Sequence, residues 1–163
     1  MAVMDQVVKV GIADINCVTP PGVIRTSGLG SCVGVVLFAP NIAGMVHVML
    51  PTSNLARTTS FNASKYADTG VDALVELLIK NGIKKHEMKA KIAGGAQMFQ
   101  FHQAKDTLRI GPRNVEAVKE RLCIHAIPLI AEDCGGNNGR TIEFNPSTGK
   151  LMVKTVNKGV TYI

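Results

Sequence analysis

The chain has 163 residues, 46% of them hydrophobic and 18% charged, and a formal net charge of +6. These proportions exclude a disordered or fibrous chain, and no apolar run approaches the roughly 20 residues that span a bilayer. With no tryptophan, five phenylalanines and two tyrosines, and no run of five like charges, the basic excess reads as a solvated surface or a pull on an acidic protein partner, not as a nucleic-acid platform.

A chain of this length suits one domain, residues 1–163, large enough to build its own core. The first eleven residues lack a basic stretch followed by an apolar one, so no signal peptide is expected and the predicted location is cytoplasmic. Cys17, Cys32, Cys123 and Cys134 are then reduced thiols. None lies in a C-x-x-C pair, so the sequence predicts no metal and no cofactor.

In chain order, Val7 to Ile15 is β-branched and apolar and predicts a strand. Thr19-Pro20-Pro21-Gly22 breaks it. Val23 to Thr26 predicts a short strand, followed by the glycine-rich loop Ser27-Gly28-Leu29-Gly30-Ser31. Cys32 to Phe38 and Ala43 to Leu50 read as buried strands closed by Pro40 and Pro51. Thr52 to Ala63 is polar loop. Lys65 to Asn81 reads as a helix whose Val71, Leu74, Val75 and Leu78 share one face, with Gly82 as its C′ glycine. Lys89 to Ala93 predicts a strand running into Gly94-Gly95. A second helix carries Pro112 in its first turn and Val115, Val118 and Leu122 on its face. Ile127 to Ala131 predicts a strand, and Ile142 to Phe144 with Leu151 to Val156 a hairpin about Asn145-Pro146-Ser147-Thr148-Gly149. About seven strands in runs, with two helices, predict an α+β layered fold with mixed or antiparallel sheets.

Chemistry concentrates around Thr26 to Cys32. A dinucleotide fingerprint is excluded, because Val33 stands at the third glycine's place and a strand follows where a helix should open. A nucleophile fits better. Cys32 follows a loop with few side chains, so substrate can approach and free amides can meet an oxyanion. A thiol needs a base, and His47 stands in the apolar strand Met45-Val46-His47-Val48-Met49, where a histidine is out of character. On pattern alone, a hydrogen-bonded core histidine and a small apolar cysteine remain the alternative. Cys17, Cys123 and Cys134 read as structural, and His86, His102 and His125 as surface or linker residues.

The stretches Thr26-Ser-Gly-Leu-Gly-Ser-Cys-Val-Gly-Val35, Gly44-Met-Val-His-Val-Met-Leu-Pro51, Lys91-Ile-Ala-Gly-Gly-Ala-Gln-Met-Phe99, Ile110-Gly-Pro-Arg-Asn-Val115 and Gly135 to Gly149 resemble, in order, those of the CheD family of chemoreceptor glutamine deamidases. The resemblance implies a catalytic set of Cys32, His47 and Thr26, with Gly28, Leu29, Gly30 and Ser31 as the oxyanion and substrate loop. It implies a fold similar to that of the cytotoxic necrotizing factor toxins, and glutamines on chemotaxis receptors as substrate. It also implies a CheC phosphatase partner, for which Gly95, Ala96 and Phe99 are the expected surface. Glutamyl methyl ester hydrolysis would share the acyl chemistry. The rival expectation is a regulatory module that binds CheC or receptors without catalysis.

Overall fold

The computed structural model describes residues 6–56, 61–98 and 109–163. Among them are ten strands and two α-helices. The strands are β1 (Val7–Lys9), β2 (Ile15–Val18), β3 (Val23–Leu29), β4 (Val33–Ala39), β5 (Ile42–Val48), β6 (Lys89–Gly94), β7 (Leu129–Cys134), β8 (Arg140–Asn145), β9 (Lys150–Thr155) and β10 (Gly159–Tyr162). The helices are α1 (Ala67–Lys80) and α2 (Ile110–Ile124).

Two five-stranded sheets form, ordered β1-β3-β8-β9-β10 and β2-β5-β4-β6-β7. Each is mixed: β1 runs parallel to β3 and β6 parallel to β7, while the other neighbours are antiparallel. This is the expected α+β layered architecture. Both helices contact the second sheet, which therefore lies between the helices and the first sheet.

That central position explains the sequence of β4 and β5. A strand covered on both faces reads as a continuous apolar run. Val35, Leu37, Val46 and Val48 pack towards the helices with Val71, Leu74 and Leu78. Val36 and Met45 pack into the space between the sheets with Ile24, Leu29, Ile142, Phe144 and Leu151. The side-chain period of two then fixes the direction of every residue on these strands. Cys32, two residues before Gly34, belongs to the inter-sheet layer.

Helix α1 ends as its sequence predicts. Gly82 adopts φ +87°, its N–H donates to Ile79 O, and that of Ile83 to Leu78 O. This pair of bonds is the Schellman arrangement. No helix is long and apolar enough to cross a membrane among the described residues.

Two expectations shift. The single strand read over Val7 to Ile15 is two, assigned to different sheets. The chain turns between them with Ala13 at φ 58°, and Asp14 Oδ1 accepts from the N–H of Ile15. Strand β10 lies beyond the expected elements: Gly159 to Tyr162 is only four residues long and exposed throughout. His125 falls in the connection between α2 and β7, within the expected surface or linker reading, but it is half-buried, with its side chain 15% exposed and its Nε2 2.7 Å from Asp72 Oδ1.

Candidate active site

The site begins with a bulge. Thr26 pairs with Ile142 and Leu29 with Arg140, leaving Ser27 and Gly28 to oppose one residue of β8. Gly28 takes φ +73°, a left-handed conformation open to glycine at little cost. The bulge ends the regular ladder and turns the chain into Gly30-Ser31-Cys32, which feeds β4.

The antiparallel register of β4 and β5 places Gly34 opposite His47. The two therefore share a face, and Cys32, two residues earlier, lies diagonally from His47 on it. A Cβ on Gly34 would come 2.6 Å from Ile142 Cδ1 and 3.5 Å from Thr26 Cγ2. The absent side chain thus lets the sheets close at this point.

Between the sheets the imidazole meets β3. Thr26 Oγ1 is 2.7 Å from His47 Nδ1 and donates to Val10 O at 2.7 Å. A threonine hydroxyl has one hydrogen. With that hydrogen on the Val10 carbonyl, which can only accept, Oγ1 offers His47 a lone pair. His47 Nδ1 must then carry the ring proton, and Nε2 is the bare, basic nitrogen. Nε2 is buried and has no hydrogen-bond partner, the Cys32 thiol included.

Burial sets the charge state of both groups. His47 is fully buried, and desolvation of its cation lowers its pKa to about 4. Cys32 is half-buried, and burial raises its pKa, partly offset by its own backbone N–H. The resting pair is a neutral thiol and a neutral imidazole.

A pH dependence of stability follows. The unfolded chain protonates its histidine near 6.5, while the folded chain resists to about pH 4. The folded pKa is depressed, so the full stability is present above about pH 6.5 and is lost as pH falls towards 4, by about 3 kcal/mol from this residue. Urea unfolding at pH 7 and pH 4.5 should show a loss in the wild type that is smaller by most of that amount in His47→Gln. Equal losses in the two proteins would refute this assignment.

The backbone around Cys32 is tied through its carbonyls. Gly30 N–H donates to Gly28 O, Ala96 N–H to Gly30 O, and Gly95 N–H to Cys32 O. Asn114 Nδ2 donates to Ser31 O and to Met49 O, both at 2.9 Å. Among the described residues the N–H groups of Ser31 and Cys32 donate to no other residue. Of the four loop residues singled out in the sequence, Gly28 supplies the left-handed turn, Leu29 is fully buried in the inter-sheet core, the Gly30 amide is engaged, and the Ser31 amide is open.

The expected partner surface is corrected by burial. Gly95 is buried and Ala96 is 0% exposed, so neither presents a face to another protein. A Cβ on Gly94, at φ +115°, would lie 2.3 Å from Cys32 O, and one on Gly95 would lie 2.2 Å from Val115 Cγ2. The two glycines let β6 pass against the cysteine turn and beneath α2. Phe99, like His102, lies outside the described residues.

Sequence reasoning missed Asn114 and the Val10 carbonyl. For Asn114 a signal existed: it sits four residues before Val118 and so shares the apolar face of α2. The other cysteines show no comparable setting. Cys123 is exposed, Cys17 Sγ lies 3.9 Å from Asn81 Nδ2, and burial pushes the Cys134 thiol up to about 11. Among the described residues no group of three or more His, Cys, Asp or Glu side chains is placed to hold a metal ion.

A family model described as CheD chemotactic sensory transduction matches residues 49–155. A chemoreceptor glutamine deamidase CheD of Halalkalibacterium halodurans is 58% identical over 158 residues, 96% of this chain and 98% of the relative. The protein of that name from Bacillus subtilis is 52% identical over 155 residues, 94% of this chain and 93% of its own. A probable chemoreceptor glutamine deamidase CheD of Geobacillus kaustophilus is 58% identical over 153 residues, covering 92% and 93%. The family match begins after His47, whereas the pairwise matches extend over nearly the whole chain.

Proposed function

This chain belongs to the CheD family, and we propose that it is a cytoplasmic cysteine amidohydrolase that converts glutamine side chains of chemotaxis receptors to glutamate. One observation carries the reading. The Val10–Thr26–His47 relay leaves a bare Nε2 on the same inter-sheet face as the Cys32 side chain.

In the proposed reaction His47 Nε2 takes the Cys32 proton as sulfur attacks the side-chain amide carbon. Both groups are neutral at rest, so proton transfer accompanies attack and no standing thiolate is needed. The carbonyl π electrons move onto oxygen, and the open amides of Ser31 and Cys32 receive the oxyanion. The intermediate collapses, the C–N bond breaks, and imidazolium returns the proton to the departing nitrogen, which leaves as ammonia. Water then attacks the thioester, giving its proton to His47. The C–S bond breaks, the receptor carries glutamate, and the thiol regains its proton. Thr26 orients the ring and holds the tautomer, the role of the third member of a hydrolase triad.

The resting thiol makes no hydrogen bond to Nε2. Catalytic bonds commonly tighten only once substrate is bound. Hydrolysis of glutamyl methyl esters would follow the same path with methanol as the leaving group. A CheC phosphatase partner belongs to the same reading.

The test is mass spectrometry of a receptor cytoplasmic fragment incubated with the protein. Conversion of specific glutamines to glutamate is expected. Binding to the receptor fragment or to CheC without any conversion would replace this reading with a regulatory module.

A further inference from the structure

We propose that Asn114 is a positioning residue that aims the oxyanion-binding amides at the reacting carbon. The inference rests on the deamidase reading and extends it to a residue on a different layer of the fold.

Asn114 is 0% exposed, on the face of α2 that packs against the second sheet. Its one amide nitrogen donates to two carbonyls, Ser31 O and Met49 O, each at 2.9 Å. Ser31 precedes Cys32, and Met49 lies two residues beyond His47. A single side chain therefore staples the nucleophile's turn to the end of the strand that carries the base.

The consequence for the turn comes from peptide geometry. In a trans peptide the C=O and the following N–H point in opposite directions. Drawing Ser31 O towards α2 turns the Cys32 N–H away from the helix. The Cys32 side chain lies on that same side, in the inter-sheet layer. The neighbouring peptide is set the same way, with Gly30 O held by the Ala96 N–H and the Ser31 N–H left open. Two adjacent amides are thus oriented by bonds on their carbonyl sides. This is preorganisation, because the donors do not have to turn when charge develops.

Burial makes the staple costly to lose. Without it, Ser31 O and Met49 O have no other side-chain donor among the described residues, and an unmade bond at a buried carbonyl favours a different peptide orientation. The asparagine is itself held only through its nitrogen, since Oδ1 is buried without a partner. The residue keeps an unsatisfied acceptor in order to place two donors.

The role separates from general support of the fold by comparing two reactions of one thiol. Deamidation develops an oxyanion. Alkylation by iodoacetamide displaces iodide and develops none. Asn114→Ala and the closer-packing Asn114→Asp should each lower kcat for receptor deamidation by about 10²- to 10³-fold, the range for losing one oxyanion donor. KM should change less than about threefold, and so should the Cys32 alkylation rate, against a stated kcat loss of at least about 10²-fold. A parallel fall of alkylation and deamidation, or an unchanged kcat, would overturn the proposal.

A measurement on the unmodified protein covers the case in which neither variant folds. Adding a glutamate-semialdehyde peptide, which forms a hemithioacetal with a nucleophilic cysteine, should move the amide proton resonances of Ser31 and Cys32 downfield together. Resonances that stay in place on formation of the adduct would refute the assignment. The aldehyde needs only a reactive Cys32, so unmoved resonances overturn the inference even if the wild type deamidates no receptor glutamine, the result that would instead sink the deamidase reading.

Discussion

Cys32→Ala is expected to reduce receptor deamidation to background, a loss on the order of 10⁴-fold or more, as for removal of a hydrolase nucleophile. The substitution removes one half-buried sulfur from the margin of the inter-sheet core. Its stability cost should be small, about 1 kcal/mol or less, because a free cysteine packs much as a small apolar residue. Full loss of turnover in a protein that still melts cooperatively and still binds the receptor fragment is the outcome that fits. Mass spectrometry of acid-quenched wild type should in addition show enzyme joined to the receptor segment through a thioester, absent from the variant. Undiminished conversion by Cys32→Ala would show that sulfur at this position is not the nucleophile.

Thr26→Val is expected to lower kcat by about 10²- to 10⁴-fold, the upper limit being what loss of the correct histidine tautomer costs a hydrolase triad. Valine keeps the branched shape, and Thr26 is only 2% exposed, so packing is preserved. The substitution removes both the acceptor for the His47 Nδ1–H and the donor to Val10 O. The ring is then free to place its proton on Nε2, where it can no longer accept from Cys32. Leaving two buried polar groups unpaired should also cost about 2–4 kcal/mol of stability. Thr26→Ser, which retains the hydroxyl, should recover most of both losses. Thr26→Ser no better than Thr26→Val would mean that the methyl group, not the hydroxyl, matters here.

The reading of Gly95 and Ala96 as part of a partner surface shows where sequence signals mislead. A glycine pair followed by apolar residues looks like an exposed turn. In the fold it is where one backbone crosses another, and the missing side chains make room for Cys32 O and Val115. The split of Val7 to Ile15 into two strands has a related cause. Local propensity cannot report which sheet a short β-branched run will join, because that is settled by the partners it finds across the molecule. The relay carbonyl of Val10 comes from that split, since the chain leaves β1 beside β3 there.

The sequence by itself determined the layered class, the two helices with their apolar faces and the Schellman glycine, because period and cap chemistry are local. It also singled out Cys32, directly after a glycine-rich turn, and His47, which departs from an apolar pattern, since both signals are visible in one dimension. Only the tertiary structure decided that Gly34 faces His47, that Thr26 fixes the tautomer through Val10, and that Asn114 ties the turn to the base strand. Those relations join residues 13 to 83 positions apart in the chain. Register, sheet stacking and a helix on the far side of the sheet bring them together, and of these only the place of Asn114 on the apolar face of α2 shows in local spacing.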